Sequence, residues 1–387
     1  MITGIYYIVI GLKVLIAQAN LTLKGGAEKV VLKIAQHYHA RIITAEYDPE
    51  GTFPEYQKLD VEVIGGNSTG FPAYGRVFQG LKYGLGFYNM SVDEDYDVIN
   101  AHIAPSHWIR NRNDRVLWYC HTPLRDAYDM YRFRMSMKKF YQKPVHYLGI
   151  KAVRRMDRKV VNKIERIVAN SQNTKGRIEK YLGRSDAKVL GGGIDYQKYK
   201  DKGDEHYFLY PSRISPNKNQ EFAIRAFEEF SKKAKGYKLI LMGAVSKDAF
   251  YQDYYKHIEE MASGRKDISI MANVSEDEFR DAYSRATAVL YPPINEDYGL
   301  VPLEAMASSK PVIALNQGGP KETVINGKTG YLVEDEHSMC NAMLKISKEP
   351  DLASRIGRNG RKRVIESYSW GHFFREFDKE LKSVSQL

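Results

Sequence analysis

At 387 residues with 43% apolar side chains, the chain is too long for one ordinary hydrophobic core and can fill two. Its two cysteines, Cys120 and Cys340, stand far apart and in no metal-ligand spacing, which excludes a disulfide framework and a cysteine zinc site and fits a reducing cytoplasm. The formal charge of +11 favours anionic partners, whether phosphates, lipid headgroups or nucleic acid, and charge alone does not choose among them.

Ile2 to Ala19 is apolar, but it lacks a basic leader and Lys13 interrupts it. A buried first strand from about residue 12, with Met1 to Gly11 as an appendage before it, therefore fits better than a signal peptide or anchor. The strand Lys13 to Ala17 is followed by a Gly-containing loop and a helix from Ala27 toward Tyr38. Further apolar runs follow at Ala40 to Thr44, Val61 to Ile64, Asp97 to Ala101, Val116 to Tyr119 and Arg166 to Ala169. Strands alternating with helices imply parallel pairing and a doubly wound sheet. From Leu182 to Tyr207 the pattern gives way to Gly191, Gly192, Gly193 and a run of charges, which reads as a linker centred on 195–206 after a first domain of 1–194. Alternation restarts with a strand at Tyr207 to Pro211, a helix from about Asn219 and a strand at Lys238 to Met242. Strands at Ile268 to Met271, Ala288 to Tyr291 and Pro311 to Leu315 complete a second domain of 207–368. Ser275 and Glu278 form a capping box for the helix Glu276 to Arg285. The expected architecture is α/β: two Rossmann-like doubly wound domains facing across a deep cleft, with ligands at the carboxyl ends of the strands.

The loops at those ends carry the chemistry. Glu296-Asp-Tyr298-Gly299-Leu300-Val-Pro-Leu-Glu304 follows the strand ending at Tyr291. Gly299 marks a turn into a helix whose backbone N–H groups can point at a phosphate, and Glu304 falls about one turn inside it. Spacing alone leaves a solvated pair of carboxylates equally open. Ser212-Arg213-Ile-Ser-Pro-Asn-Lys218 lies between the first strand and first helix of the second domain, where an Arg and a Lys can grip two phosphates. In the first domain Lys24-Gly25-Gly26-Ala27-Glu28 offers bare backbone after strand one, without the spaced glycines of a dinucleotide fingerprint. His121, in Trp118-Tyr-Cys-His-Thr-Pro123, ends another strand; a substrate contact and a satisfied structural histidine both fit it. Gln317-Gly318-Gly319-Pro320 is a further strand-end loop, and Gly327 to Gly330 reads as a tight turn.

Together these residues resemble the family-4 retaining glycosyltransferases of GT-B architecture. The likeness runs from Gly25-Gly26-Ala27-Glu28 through Asn170-Ser171, Gly193-Ile194-Asp195 and Ser212-Arg213 to Ser369-Trp370, and its most specific part is the pair Glu296 and Glu304. Cys120-His121-Thr122-Pro123-Leu124-Arg125 looks like the mannosyltransferase branch. The resemblance implies that Arg213 and Lys218 bind the donor diphosphate, assisted by backbone near Tyr298, Gly299 and Leu300, and that Glu304 holds the ribose. Glu296 would contact the transferred sugar, His121 would lie by its 6-hydroxyl and anomeric carbon, and Gly25 and Gly26 would face the diphosphate. The helix of 369–387 would cross back onto the first domain. Asp297-Tyr298 stands where Pro or Gly with Phe is more usual, and Gly191-Gly192-Gly193 replaces a common Asn-Gly-Val run.

The expected function is metal-independent, retaining transfer of a hexosyl group, mannose from GDP-mannose by resemblance, to a glycan or lipid-linked acceptor. No cofactor is expected; the nucleotide-diphosphate sugar is a substrate. Arg213, Lys218 and a helix N-terminus can stabilise the departing diphosphate without a metal. A sugar-nucleotide epimerase or a phosphorylase on the same fold is the rival enzyme reading. A nucleic-acid partner is not expected, because no RNP, KH or zinc-knuckle pattern occurs. Between Tyr131 and Arg166, twelve Lys or Arg residues face only Asp157 and Glu165, with Tyr131, Phe133, Phe140, Tyr141 and Tyr147 interleaved. A solvated helical face would account for this. With lipid-linked acceptors in view, peripheral contact with anionic membrane, at the inner face from the cytoplasm, is the expectation.

Overall fold

The computed structural model describes residues 11–64, 75–136, 138–246 and 248–387; the appendage expected at the N-terminus falls, up to residue 10, outside them. The chain forms two compact units. The first runs to Gly191 and adds Phe374–Leu387; the second is Gly192–Phe373.

In the first unit the strands are β1 (Val14–Gln18), β2 (Arg41–Thr44), β3 (Val61–Val63), β4 (Val98–Ala101), β5 (Val116–Cys120), β6 (Arg166–Ala169) and β7 (Lys188–Val189). They pair in parallel in the order β3-β2-β1-β4-β5-β6-β7, with Ala17 opposite Ala101 and Ala101 opposite Trp118. The second unit repeats the scheme with β8 (Tyr207–Pro211), β9 (Lys238–Gly243), β10 (Ile268–Ala272), β11 (Ala288–Tyr291), β12 (Val312–Leu315) and β13 (Gly330–Val333), ordered β10-β9-β8-β11-β12-β13. Central strands such as β1, β5, β8 and β11 are buried along their whole length. Helices cover both faces of a parallel sheet, so its strands are apolar without alternation, which is what made them legible. Each order reverses direction beside its first strand, between β1 and β4 and between β8 and β11, so each unit is Rossmann-like and doubly wound, as expected.

Two elements differ from expectation. The segment 195–206, read as a linker, packs within the second unit: Tyr199 is buried, and the buried Lys310 ammonium binds Asp201 at 2.7 Å and the Gly203 carbonyl at 2.6 Å. Its charges looked like solvated linker because their partners lie about a hundred residues away in sequence. The short edge strands β7 and β13 were not anticipated. The turn before β13 is present, with Gly327 at φ 74°.

The final helix, Trp370–Ser385, begins in the second unit, and its part from Phe374 onward packs on the first. There Phe374 stacks on His37 at 3.7 Å, Tyr38 donates to Asp378 at 2.5 Å, and Arg166 pairs with Glu380 at 3.1 Å.

The basic segment centres on the helix Lys143–Val161, which buries His146, Ile150, Val153, Asp157 and Val160. Asp157 accepts three hydrogen bonds at 2.8 Å, from His107 Nε2, Trp108 Nε1 and the Tyr128 hydroxyl. Outward it leaves Phe133, Phe140, Tyr141, Val145, Tyr147 and Leu148 exposed, Phe140 by 83%. Not all of its cations point outward. Arg154 donates to the Ala127 carbonyl at 2.6 Å and covers the Tyr131 ring at 4.7 Å, and Arg134 pairs with Asp126 at 2.8 Å. No helix of the described residues is long and apolar enough to cross a membrane.

Candidate active site

In the second unit three strand-end loops lock together where β8 and β11 diverge. After β8 the chain makes a short turn at Pro216–Lys218, and Asn219 adopts the left-handed conformation at φ 58° before the helix Gln220–Lys233. The Asn219 amide donates to the Pro292 carbonyl at 3.2 Å, and Ile294 N–H donates to the Asn217 carbonyl at 3.1 Å, which fastens this loop to the one after β11. The third loop closes in because it lacks side chains. Gly318, at φ 62°, lies so near the Glu296 backbone that a Cβ would collide with its carbonyl, and Gly319 N–H donates to that carbonyl at 2.8 Å. The Gly318-Gly319 pair is thus a requirement of close approach.

This packing gathers the charged groups expected to act. Lys218 Nζ meets Glu296 Oε2 at 2.5 Å, with both side chains largely buried. Arg213 is exposed and forms no ion pair among the described residues. Both cations act on Tyr291: Lys218 lies 6.0 Å over its ring, and the Arg213 charge opposes the burial that pushes its phenol well up. Burial, reinforced by Glu296, likewise raises the Tyr210 phenol, which stays neutral and donates to the Lys218 carbonyl. Gly299, at φ 80°, turns the chain into the helix Leu300–Ala307, whose first N–H groups lack intrahelical partners. Tyr298 donates to the Gly192 carbonyl at 2.8 Å. Glu304 accepts from Tyr199 at 3.0 Å and from Tyr283 at 2.7 Å. A guanidinium, an ammonium and a helix N-terminus at one switch point suit a polyanion such as a diphosphate.

The first unit presents Gly25, Gly26 and His121 at its own strand ends. Gly25 precedes the helix Gly26–Tyr38, and the Glu28 carboxylate lies against it. His121 follows β5; its carbonyl accepts from the Asn170 amide at 3.0 Å, and its Nε2 lies 3.1 Å from His102 Nδ1. The residue is half-buried, and burial of its ring holds it down to about 3, so it is neutral.

Sequence reasoning missed Tyr199 and Tyr283, which carry no signal in a charged segment and an amphipathic helix. It also passed over His102, although that residue follows a predicted strand just as His121 does.

Two family models cover the chain almost end to end: Glycosyltransferase Family 4 over residues 24–198 and Glycosyl transferases group 1 over 194–363. The chain is a family-4 glycosyltransferase. Alpha-1,3/1,6-mannosyltransferase ALG2 of Mus musculus is 29% identical over 89% of this chain and 90% of its own length, and the Homo sapiens protein of that name is 28% identical over the same shares. Among solved structures, Anabaena Alr3699/HepE in complex with UDP and glucose superposes with a TM-score of 0.74 at 19% identity, covering 96% of this glycosyltransferase and 100% of that chain. Sucrose-phosphate synthase from Thermosynechococcus elongatus gives 0.73 at 19%, over 95% and 97%. These likenesses place this glycosyltransferase in the GT-B fold.

Proposed function

We propose that this glycosyltransferase moves mannose from GDP-mannose to a glycan or lipid-linked acceptor, without a metal and with retention at the anomeric carbon. The observation that carries the reading is the set of Arg213, Lys218 and the Gly299 helix N-terminus on interlocked loops at one switch point. The mannosyltransferase relatives support the sugar, and the base rests on the likeness of the motifs alone. As the anomeric C–O bond breaks, negative charge grows on the departing diphosphate, where fixed cations and a helix N-terminus oppose it. The acceptor hydroxyl then attacks the same face, forming the new C–O bond, and its proton passes to the leaving phosphate. Glu304, held by Tyr199 and Tyr283, binds the ribose; Glu296, held by Lys218, meets the sugar; Gly25 and Gly26 contribute backbone. An epimerase or phosphorylase reading is not favoured by relatives that are transferases and synthases.

A thermal-shift screen with UDP, GDP and ADP and their sugars tests this. At a hundred times its Kd the correct nucleotide adds about 2.7 kcal/mol of stability, several degrees in Tm. GDP should give the largest shift. Glu304→Ala should abolish it, whereas Glu296→Ala should keep the GDP shift and lose turnover of GDP-mannose. Equal loss of GDP affinity in both variants would overturn the assignment.

A second observation concerns the acceptor. The exposed Phe140, Tyr141, Tyr147 and Leu148 lie beside exposed Lys139, Lys143, Lys151 and Arg155, an arrangement suited to an anionic membrane surface. Each cation contributes on the order of 1 kcal/mol at such a surface. Liposome sedimentation should show binding that needs anionic lipid and falls steeply with salt. Changing those four cations to Glu should eliminate it while activity on a water-soluble acceptor persists. Wild type that ignores anionic liposomes at low salt would make this a solvated face.

A further inference from the structure

We propose that His102 is a positioning residue: with Asn100 it fixes the proton of His121 on Nε2, so that His121 meets the donor sugar with an unprotonated Nδ1 that accepts a hydroxyl hydrogen. This deepens the reading of His121 as a donor-sugar contact and rests on it.

The three side chains form a line across the carboxyl ends of β4 and β5. Asn100 lies on β4, and His102 is two residues further along the same face. The Asn100 amide donates from Nδ2 to the Leu117 carbonyl at 3.3 Å, which turns Oδ1 toward His102 Nε2, 2.7 Å away. The reverse orientation would set two acceptor oxygens against each other, so His102 Nε2 must carry a proton and donate. Both Asn100 and His102 are wholly buried, and burial holds His102 well below the usual histidine range, with His121 adding to the effect. A neutral imidazole bears one proton. His102 Nδ1 is therefore a lone pair, and the 3.1 Å contact with His121 Nε2 can be a hydrogen bond only if His121 is the donor. His121 is also neutral, which leaves its Nδ1 unprotonated; that atom has no protein partner among the described residues.

The backbone around His102 is held as firmly as its ring. Its N–H donates to the Ala17 carbonyl at 2.9 Å, its carbonyl accepts from Trp118 Nε1 at 2.9 Å, and the next N–H, of Ile103, donates to Gln18 Oε1 at 3.3 Å. These contacts fix His102 at the switch point between β1 and β4. An acceptor-only nitrogen selects a sugar with a hydroxyl at that point over one without, because the deoxy analogue leaves the nitrogen unpaired.

The test compares His102→Phe with His102→Gln. The glutamine amide can donate to Asn100 and accept from His121, reproducing both roles of the imidazole, whereas phenylalanine can do neither. Nitrogen-15 NMR of the histidine rings in the full chain should show His121 protonated on Nε2 in the wild type and in His102→Gln, and as mixed tautomers in His102→Phe. In His102→Phe, kcat/KM should fall about 10- to 100-fold, the range seen when a metal-ligating histidine loses the partner that orients it. The preference for GDP-mannose over its 6-deoxy counterpart should fall with it, GDP affinity should hold, and His102→Gln should recover most of the activity. A wild-type His121 protonated on Nδ1 overturns the proposal outright. A tautomer that shifts as expected while kcat/KM and donor preference stay unchanged overturns the reading of His121 as a sugar contact. If His102→Phe melts too early to assay, the wild-type spectrum and the His102→Gln kinetics still decide.

Discussion

Arg213→Ala is expected to lower turnover by about a hundredfold or more, as for removal of one fixed donor to a charge that grows in the transition state. Its melting temperature should stay close to that of the wild type, because Arg213 is exposed and forms no ion pair among the described residues. Lys218→Ala should cost as much turnover and, unlike Arg213→Ala, some stability. Its side chain is 11% exposed and pairs at 2.5 Å with that of Glu296, itself 21% exposed, so the carboxylate would lose its countercharge while mostly out of water. Leaving a group in that state costs about 1–3 kcal/mol when fully buried, and less here. Steady-state kinetics beside thermal melts separate the two variants. If either variant only raised the donor KM at normal kcat, its side chain would be a binding contact and not a stabiliser of the leaving group.

Asp157→Ala should be the most destabilising single change in the first unit. The carboxylate is 1% exposed, and its removal leaves His107, Trp108 and Tyr128 without their shared acceptor. Leaving a buried donor unsatisfied costs about 1–3 kcal/mol, and three are stranded together here, against roughly 1 kcal/mol for an average substitution. Asp157→Asn should cost much less, because its amide oxygen can still accept from His107 and Trp108 and its NH2 can donate to the Tyr128 hydroxyl. Urea unfolding followed by tryptophan fluorescence reports on this region, since two of the three tryptophans, Trp108 and Trp118, lie in the first unit's core. An unchanged midpoint for Asp157→Ala would show that the cluster contributes nothing.

The sequence by itself determined the two α/β units, because strands buried on both faces are apolar runs and their helices repeat between them. It also set Arg213, Lys218, His121, Glu296 and Glu304 after predicted strands, which is where the structure places them. What it did not determine are the partners. Lys218 and Glu296 are 78 residues apart, Tyr199 and Glu304 are 105 apart, and Lys310 meets Asp201 across 109. Local pattern reports which face of a segment is buried, and these contacts depend instead on which strands are neighbours. Only the sheet order sets β8 beside β11 and β4 beside β5, bringing Lys218 to Glu296 and His102 to His121. The same limit explains Arg154, which a count of basic residues placed on the outer face. Its guanidinium turns inward because the Ala127 carbonyl and the rings of Tyr128 and Tyr131, contributed by a preceding turn and the first residue of the helix Tyr131–Ser136, offer it a hydrogen bond and two aromatic faces.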